Sequence, residues 1–170
     1  MPGVRARFWN AGHILGSASI EIRYVEPETG RTMRLLFSGD LGPDEKGFHP
    51  EPGGDAGFDY VVCESTYGDR KRDDYTLKER RATLKRELVE GLARGGNVVI
   101  PCFAVERSQE LLHDIGVLMT RVEVPGATVF LDSPLARKVT GVFVEYAHTL
   151  DDIEIPEDEL FRHPSFRIVE

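Results

Sequence analysis

Residues 5–9 alternate polar and apolar, and residues 19–25 do the same, each with the period of two that marks a half-buried strand. Between residues 25 and 32 lies Glu26-Pro27-Glu28-Thr29-Gly30, a turn-forming run that predicts a hairpin with the next apolar stretch, 32–37. That stretch ends at Ser38-Gly39-Asp40-Leu41-Gly42, and a Gly- and Pro-rich loop follows over 43–57. Residues 60–63 read as a short buried strand ending in Glu64-Ser65-Thr66-Tyr67-Gly68. The period then changes. Leu77, Leu84, Leu88 and Leu92 share one face of a helix over 76–94, with Thr76 as its N-cap and Gly95-Gly96 closing it. A strand is expected over 97–103, and a second helix over 106–120 with Leu111, Leu112, Ile115 and Leu118 turned inward. A third strand over 128–131 and a third helix over 134–150 follow. This β-α-β-α-β-α order predicts a parallel sheet covered by helices. Residues 151–159 read as an acidic linker and 165–170 as the start of another strand.

Composition changes this picture little. The 170 residues are 41% hydrophobic and 29% charged, which suits a globular domain with a real core. No run reaches the roughly 20 apolar residues that span a bilayer, and residues 1–7 lack the apolar segment of a secretory leader. Cys63 and Cys102 each lie in an apolar run and form no CxxC pair. They read as two buried thiols in a reducing, cytoplasmic compartment. The net charge of −8 leans against a nucleic-acid partner, although a local basic stripe or a bound dication can serve an acidic protein.

Three side chains stand where chemistry is made. His13 lies in a loop flanked by Gly12 and Gly16, which lets the backbone bring the imidazole to a shared point. A histidine so placed is a metal ligand or a hydrogen-bonded structural residue. Asp40 ends a strand, where it either reaches a metal or substrate or bonds its own turn. Glu64 repeats that placement after the next strand. Ser133, just before Pro134 at a helix start, and Arg107, in the first turn of another helix, could touch a substrate phosphate. A simple cap and a solvated charge are the plain alternatives. The mixed-sign run 69–74 reads as an exposed loop.

The segments Ala11-Gly12-His13-Ile14-Leu15-Gly16-Ser17-Ala18, Phe37-Ser38-Gly39-Asp40 and Glu64-Ser65-Thr66-Tyr67-Gly68, in this order and spacing, resemble the β-CASP nucleases of the metallo-β-lactamase superfamily. Ile100-Pro101-Cys102-Phe103-Ala104 with Arg107-Ser108-Gln109-Glu110-Leu111-Leu112, and then Asp132-Ser133-Pro134-Leu135-Ala136, extend the likeness to about residue 150. The resemblance implies an α/β chain. Residues 1–63 would form part of the metallo-β-lactamase αβ/βα sandwich, and 64–170 the first part of a β-CASP parallel α/β insertion. It implies that His13 binds one zinc, that Asp40 bridges two, and that Glu64 orients a histidine acting as general acid from further along the chain. The implied activity is zinc-dependent cleavage of RNA phosphodiesters, with single-stranded DNA as a second substrate, no membrane, and a homodimer left open. Two metals sharing a hydroxide suit that reaction, and zinc accepts a mixed imidazole and carboxylate set.

The departures from the family pattern are large. No HxHxDH string precedes His13, and the two later histidine motifs are missing. Two expected zinc ligands and one orienting acid remain, against the three protein ligands that a catalytic zinc normally takes. The expectation is a truncated product or a fragment starting at an internal methionine, binding zinc weakly and inactive alone. The competing readings are a non-catalytic β-CASP-like subunit serving assembly and another hydrolase of the fold acting on esters or lactams. The metal-competent residues at 13, 40 and 64 lean against the first of these, and the β-α-β-α half after Glu64 against the second.

Overall fold

A computed structural model describes residues 3–43, 47–71 and 76–169. The end of the mixed-sign run, 72–74, and part of the 43–57 loop lie outside the described residues. The chain divides into two compact units, Met1–Asp73 and Asp74–Glu170.

In the first unit, β1 (Val4–Asn10), β2 (Ala18–Val25), β3 (Thr32–Phe37) and β4 (Tyr60–Val62) form one sheet in that order. β1 and β3 flank β2 antiparallel, the predicted hairpin joining β2 to β3, and β4 runs parallel to β3. The register sorts the side chains by face. Phe8, Ile20, Phe37 and Val62 form one row across the strands, and Ala6, Ile22, Leu35 and Tyr60 another, so this face is apolar. The opposite face carries Arg5, Arg23 and Arg34 in one row and Arg7, Glu21 and Leu36 in the next.

At the centre of the polar face, Glu21 is sealed from solvent by its own donors. Arg23 Nε lies 2.6 Å and Arg34 Nε 2.9 Å from Oε1, and Trp9 Nε1 donates to Oε2 at 3.0 Å. The Arg7 guanidinium lies over the Trp9 ring, 3.7 Å from its centroid. Arg34 also bonds Asp55 and the Ala56 carbonyl, tying the 43–57 loop to β3. The bond from Arg23, aided by Arg34 and Trp9 and opposed by burial, lowers the Glu21 pKa from 4.5 to about 2. Because the folded value is depressed, this stabilisation is complete above pH 4.5 and is lost as pH falls towards 2. Unfolding followed by Trp9 fluorescence, the chain's one tryptophan, should show stability falling through that window, and Glu21→Gln should flatten the fall.

Three expectations fail in this unit. The strand over 5–9 was expected to be half-buried, but residues 5–8 are exposed, Phe8 at 70%. The strand over 60–63 was expected to be buried, but Tyr60, Val61 and Val62 are 58%, 57% and 56% exposed. The described part of the unit has no helix to cover the sheet, and β4 has a sheet neighbour on one edge only. Cys63, next along, is exposed for the same reason and not a buried thiol.

The second unit holds α1 (Leu77–Ala93), α2 (Arg107–Thr120), β5 (Val129–Leu131), α3 (Pro134–Glu145) and β6 (Phe166–Ile168), with short 3-10 turns at Ala147–Thr149 and Glu157–Glu159. Thr76 and Glu79 cap α1 reciprocally: the Thr76 hydroxyl accepts the Glu79 N–H, and the Glu79 carboxylate accepts the Thr76 N–H. Leu88, Ile115, Leu118 and Val124 form the core, packed by Leu84, Val98, Met119, Val129 and Phe166. β5 pairs parallel with β6, so the apolar tail does become a strand.

Residues 97–103 do not form the expected strand. Val98 packs on the core, yet Val99 and Phe103 are 84% and 85% exposed. An extended segment becomes a strand only when a neighbour takes up its N–H and C=O groups, and β5 pairs with β6 instead. Cys102 is therefore also exposed, contrary to expectation, with its Sγ 3.4 Å from Ser108 Oγ. The third helix ends at Glu145, and a separate 3-10 turn covers 147–149.

An ion cluster joins α1 to α2. Asp114, sealed on α2, accepts Arg80 through Nε and Nη2 at 3.2 and 2.9 Å, and Arg81 through Nε and Nη2 at 3.1 and 2.9 Å. Glu154 receives both Arg81 and Arg121. His113 is buried beside Asp114, a structural histidine, and its Nε2 accepts the Glu154 N–H. No helix among the described residues is long and apolar enough to cross a membrane.

Candidate metal centre at one end of the first sheet

The register fixes where the three candidate side chains lie. Asn10 pairs with Ala18, Ile20 with Phe37, and Phe37 with Val62. The end of β1, the start of β2 and the ends of β3 and β4 therefore share one end of the sheet. The His13 loop (11–17), the Asp40 loop (38–42) and Glu64 all emerge there.

Short polar side chains shape the His13 loop. The Asn10 carboxamide oxygen accepts the Gly12 N–H at 2.9 Å, and Ser17 Oγ accepts the N–H groups of both His13 and Ile14 at 3.0 and 3.1 Å. The Asp40 loop runs against it, the Gly42 N–H donating to the Ala11 carbonyl at 2.9 Å. The approach is so close that a Cβ on Gly42 would fall 1.7 Å from the Gly12 carbonyl oxygen. At Gly39, with φ +60°, a Cβ would fall 2.9 Å from the Ala18 carbonyl oxygen. Glycine is required at both points for the loops to meet.

Glu64 joins the same assembly from β4. Its Oε1 accepts the Leu41 N–H at 3.1 Å and its Oε2 the Thr66 N–H at 3.0 Å, while its own N–H donates to Ser38 Oγ at 2.9 Å. Ser19 Oγ donates to the Ser38 carbonyl at 2.7 Å. The Thr66 N–H and hydroxyl, the Leu41 N–H and the nearby His13 imidazole together hold the Glu64 pKa below its ordinary value, against a smaller effect of burial. The Asp40 loop is thus clamped both to the His13 loop and to Glu64. The Asp40 residue itself is exposed.

The sequence signal missed Ser17, Ser19 and Ser38, the residues that fix these loops. The short run Ser-Gly-Asp and the serine closing the glycine-flanked loop are the only hints of them. The phosphate candidates belong to the second unit. Ser133 caps α3, its Oγ accepting the Ala136 N–H at 3.2 Å, and Arg107 pairs with Glu110 at 2.5 Å.

Among the described residues no group of three or more His, Cys, Asp or Glu side chains is gathered to hold a metal. His13 and Asp40 are the right donor types for zinc, but they do not complete a site by themselves.

No family model matches the chain. Curated relatives do. Ribonuclease TTHA0252 of Thermus thermophilus is 42% identical over 139 residues, which is 80% of this chain and 29% of that protein. An RNase J-like protein of Methanocaldococcus jannaschii is 33% identical over 153 residues, 87% of this chain and 34% of that protein. The cleavage and polyadenylation specificity factor subunit 3 of Dictyostelium discoideum is 29% identical over 156 residues, 88% of this chain and 19% of that protein. The chain spans about a third or less of the length of these relatives. With a mixed α/β fold and matches over most of its length to a ribonuclease, an RNase J-like protein and a cleavage and polyadenylation factor subunit, the chain belongs to the β-CASP family of the metallo-β-lactamase superfamily.

Proposed function

We propose that this chain carries part of the catalytic centre of a zinc-dependent ribonuclease that cleaves RNA phosphodiester bonds in processing or decay. The carrying observation is the convergence of the His13 loop, the Asp40 loop and Glu64 at one end of one sheet, locked together by Gly42 and Ser38. In this reading residues 1–63 contribute to the metallo-β-lactamase core and 64–170 to the β-CASP part. His13 and Asp40 would hold zinc as two of its protein ligands. Zinc bound there would supply a hydroxide nucleophile and neutralise phosphate charge. The chain's own part would be to bring the loops that carry an imidazole and a carboxylate together at one end of the sheet. Single-stranded DNA is a second substrate of the same chemistry. Ser133 and Arg107 are proposed phosphate contacts, Arg107 through the part of its guanidinium left free by Glu110. A cytoplasmic location is part of the same proposal.

A zinc titration of the isotope-labelled chain tests the ligand assignment. The His13 imidazole and the Asp40 carboxylate signals should move together, with one weak apparent affinity, while His49 and His113 stay still. Shifts confined to other histidines, or none at either residue, would count against the proposal.

A further inference from the structure

The family resemblance gives Glu64 the task of orienting a histidine from elsewhere. Its contacts within this chain are of another kind. The Glu64 N–H holds Ser38 Oγ, and its carboxylate holds the Leu41 N–H. Ser38 and Leu41 bracket Gly39 and Asp40, so a single residue grips the turn from both sides. Behind the turn the Ser38 carbonyl is fixed by Ser19, and ahead of it Gly42 is fixed to Ala11. Asp40 itself is exposed. Packing therefore does little to place its side chain, and the backbone of 39–41 sets the point and direction from which that side chain starts. A carboxylate accepting two backbone N–H groups makes charge-assisted bonds, stronger than those of a neutral acceptor.

We propose that Glu64 is a positioning residue for Asp40: by gripping the Leu41 N–H it fixes the turn from which the Asp40 carboxylate leaves the sheet end. The proposal rests on the reading of His13 and Asp40 as ligands for its meaning, though not for its geometry. It makes Glu64 act on the metal side of the reaction through the backbone, in addition to any contact with a distant histidine. Outer partners of this kind typically change metal affinity by about 10–100-fold.

The experiment is amide hydrogen exchange by NMR on the whole chain, wild type against Glu64→Ala and Glu64→Gln, followed by zinc titration of each. Loss of the grip should speed Leu41 exchange by about tenfold or more in Glu64→Ala. The amides of the β1–β2 ladder should be unchanged. Glu64→Gln keeps one oxygen for Leu41 and should stay within about threefold of wild type. On adding zinc, the response of Asp40 should shrink in Glu64→Ala and return in Glu64→Gln, while that of His13 persists. Leu41 exchange unchanged in Glu64→Ala would overturn the proposal. So would acceleration spread evenly over the sheet in both variants, which would make Glu64 a general stabiliser. If zinc moves neither His13 nor Asp40 in the wild type, the functional reading fails, while the exchange data still decide the role of Glu64.

Discussion

Replacing Asp114 by alanine is expected to lower the stability of the second unit by about 3 kcal/mol, because it strands two arginines on α1 that share this one carboxylate. Burial alone would raise the Asp114 pKa. The His113 bond and the Arg80 and Arg81 charges outweigh it and leave the value at about 2, below the ordinary 3.8. The four N–H donors arrive at 2.9–3.2 Å from two consecutive residues of a neighbouring helix, a geometry a single alanine cannot replace. The loss falls short of the worst case for a broken buried pair, since Arg80 keeps Glu110 and Arg81 keeps Glu154. Asp114→Asn, which keeps an oxygen but not the charge, should cost less. All three α-helices among the described residues lie in this unit, and Trp9 lies in the other. Urea unfolding read by the far-UV helix signal should therefore shift to lower urea by roughly 1–3 M. The Trp9 transition should stay in place. A helix midpoint left unmoved, or one that moves only together with Trp9, would contradict the account.

That clasp also shows where sequence reading stops. Arg80, Arg81 and Asp114 are ordinary helix charges in the sequence, and only the packing of α1 on α2 makes them a buried cluster. Local patterns were more readable. The alternation over 5–9 and 19–25 reports a sheet with one apolar face, and the registers of β1, β2 and β3 confirm it. Thr76 with Glu79 announces a capping box, and the structure contains it. What failed were inferences from apolar character to burial. Residues 60–63 and 97–103 look like interior strands, yet a strand is buried only when a neighbouring layer covers it and ladder-paired only when an edge is offered. Neither condition is written in the segment itself. The candidate site was legible as three strand-end groups at His13, Asp40 and Glu64. Their convergence was not, because it depends on the register linking Asn10, Ala18, Phe37 and Val62 across four strands. The serines that fix the loops act through backbone groups and leave almost no trace in a pattern of side chains.

The second large effect is expected at those convergent loops. On the proposed reading, His13 and Asp40 would contribute different donor types from neighbouring loops, so neither would stand in for the other. Loss of either should remove a metal ligand, and not merely weaken a neighbouring contact. The fall in activity should therefore reach or pass the upper end of what outer partners cause, about 100-fold. The Thermus ribonuclease, 42% identical over 139 residues that make up 29% of its length, offers a longer frame in which to test the two residues. The matched stretch of this chain, exchanged for its counterpart in that enzyme, should give a chimera that cleaves RNA. His13→Ala and Asp40→Ala in the chimera should each cut the cleavage rate by about 100-fold or more. Alanine variants that cleave RNA as fast as the parent chimera would show that these two side chains do not form the catalytic centre.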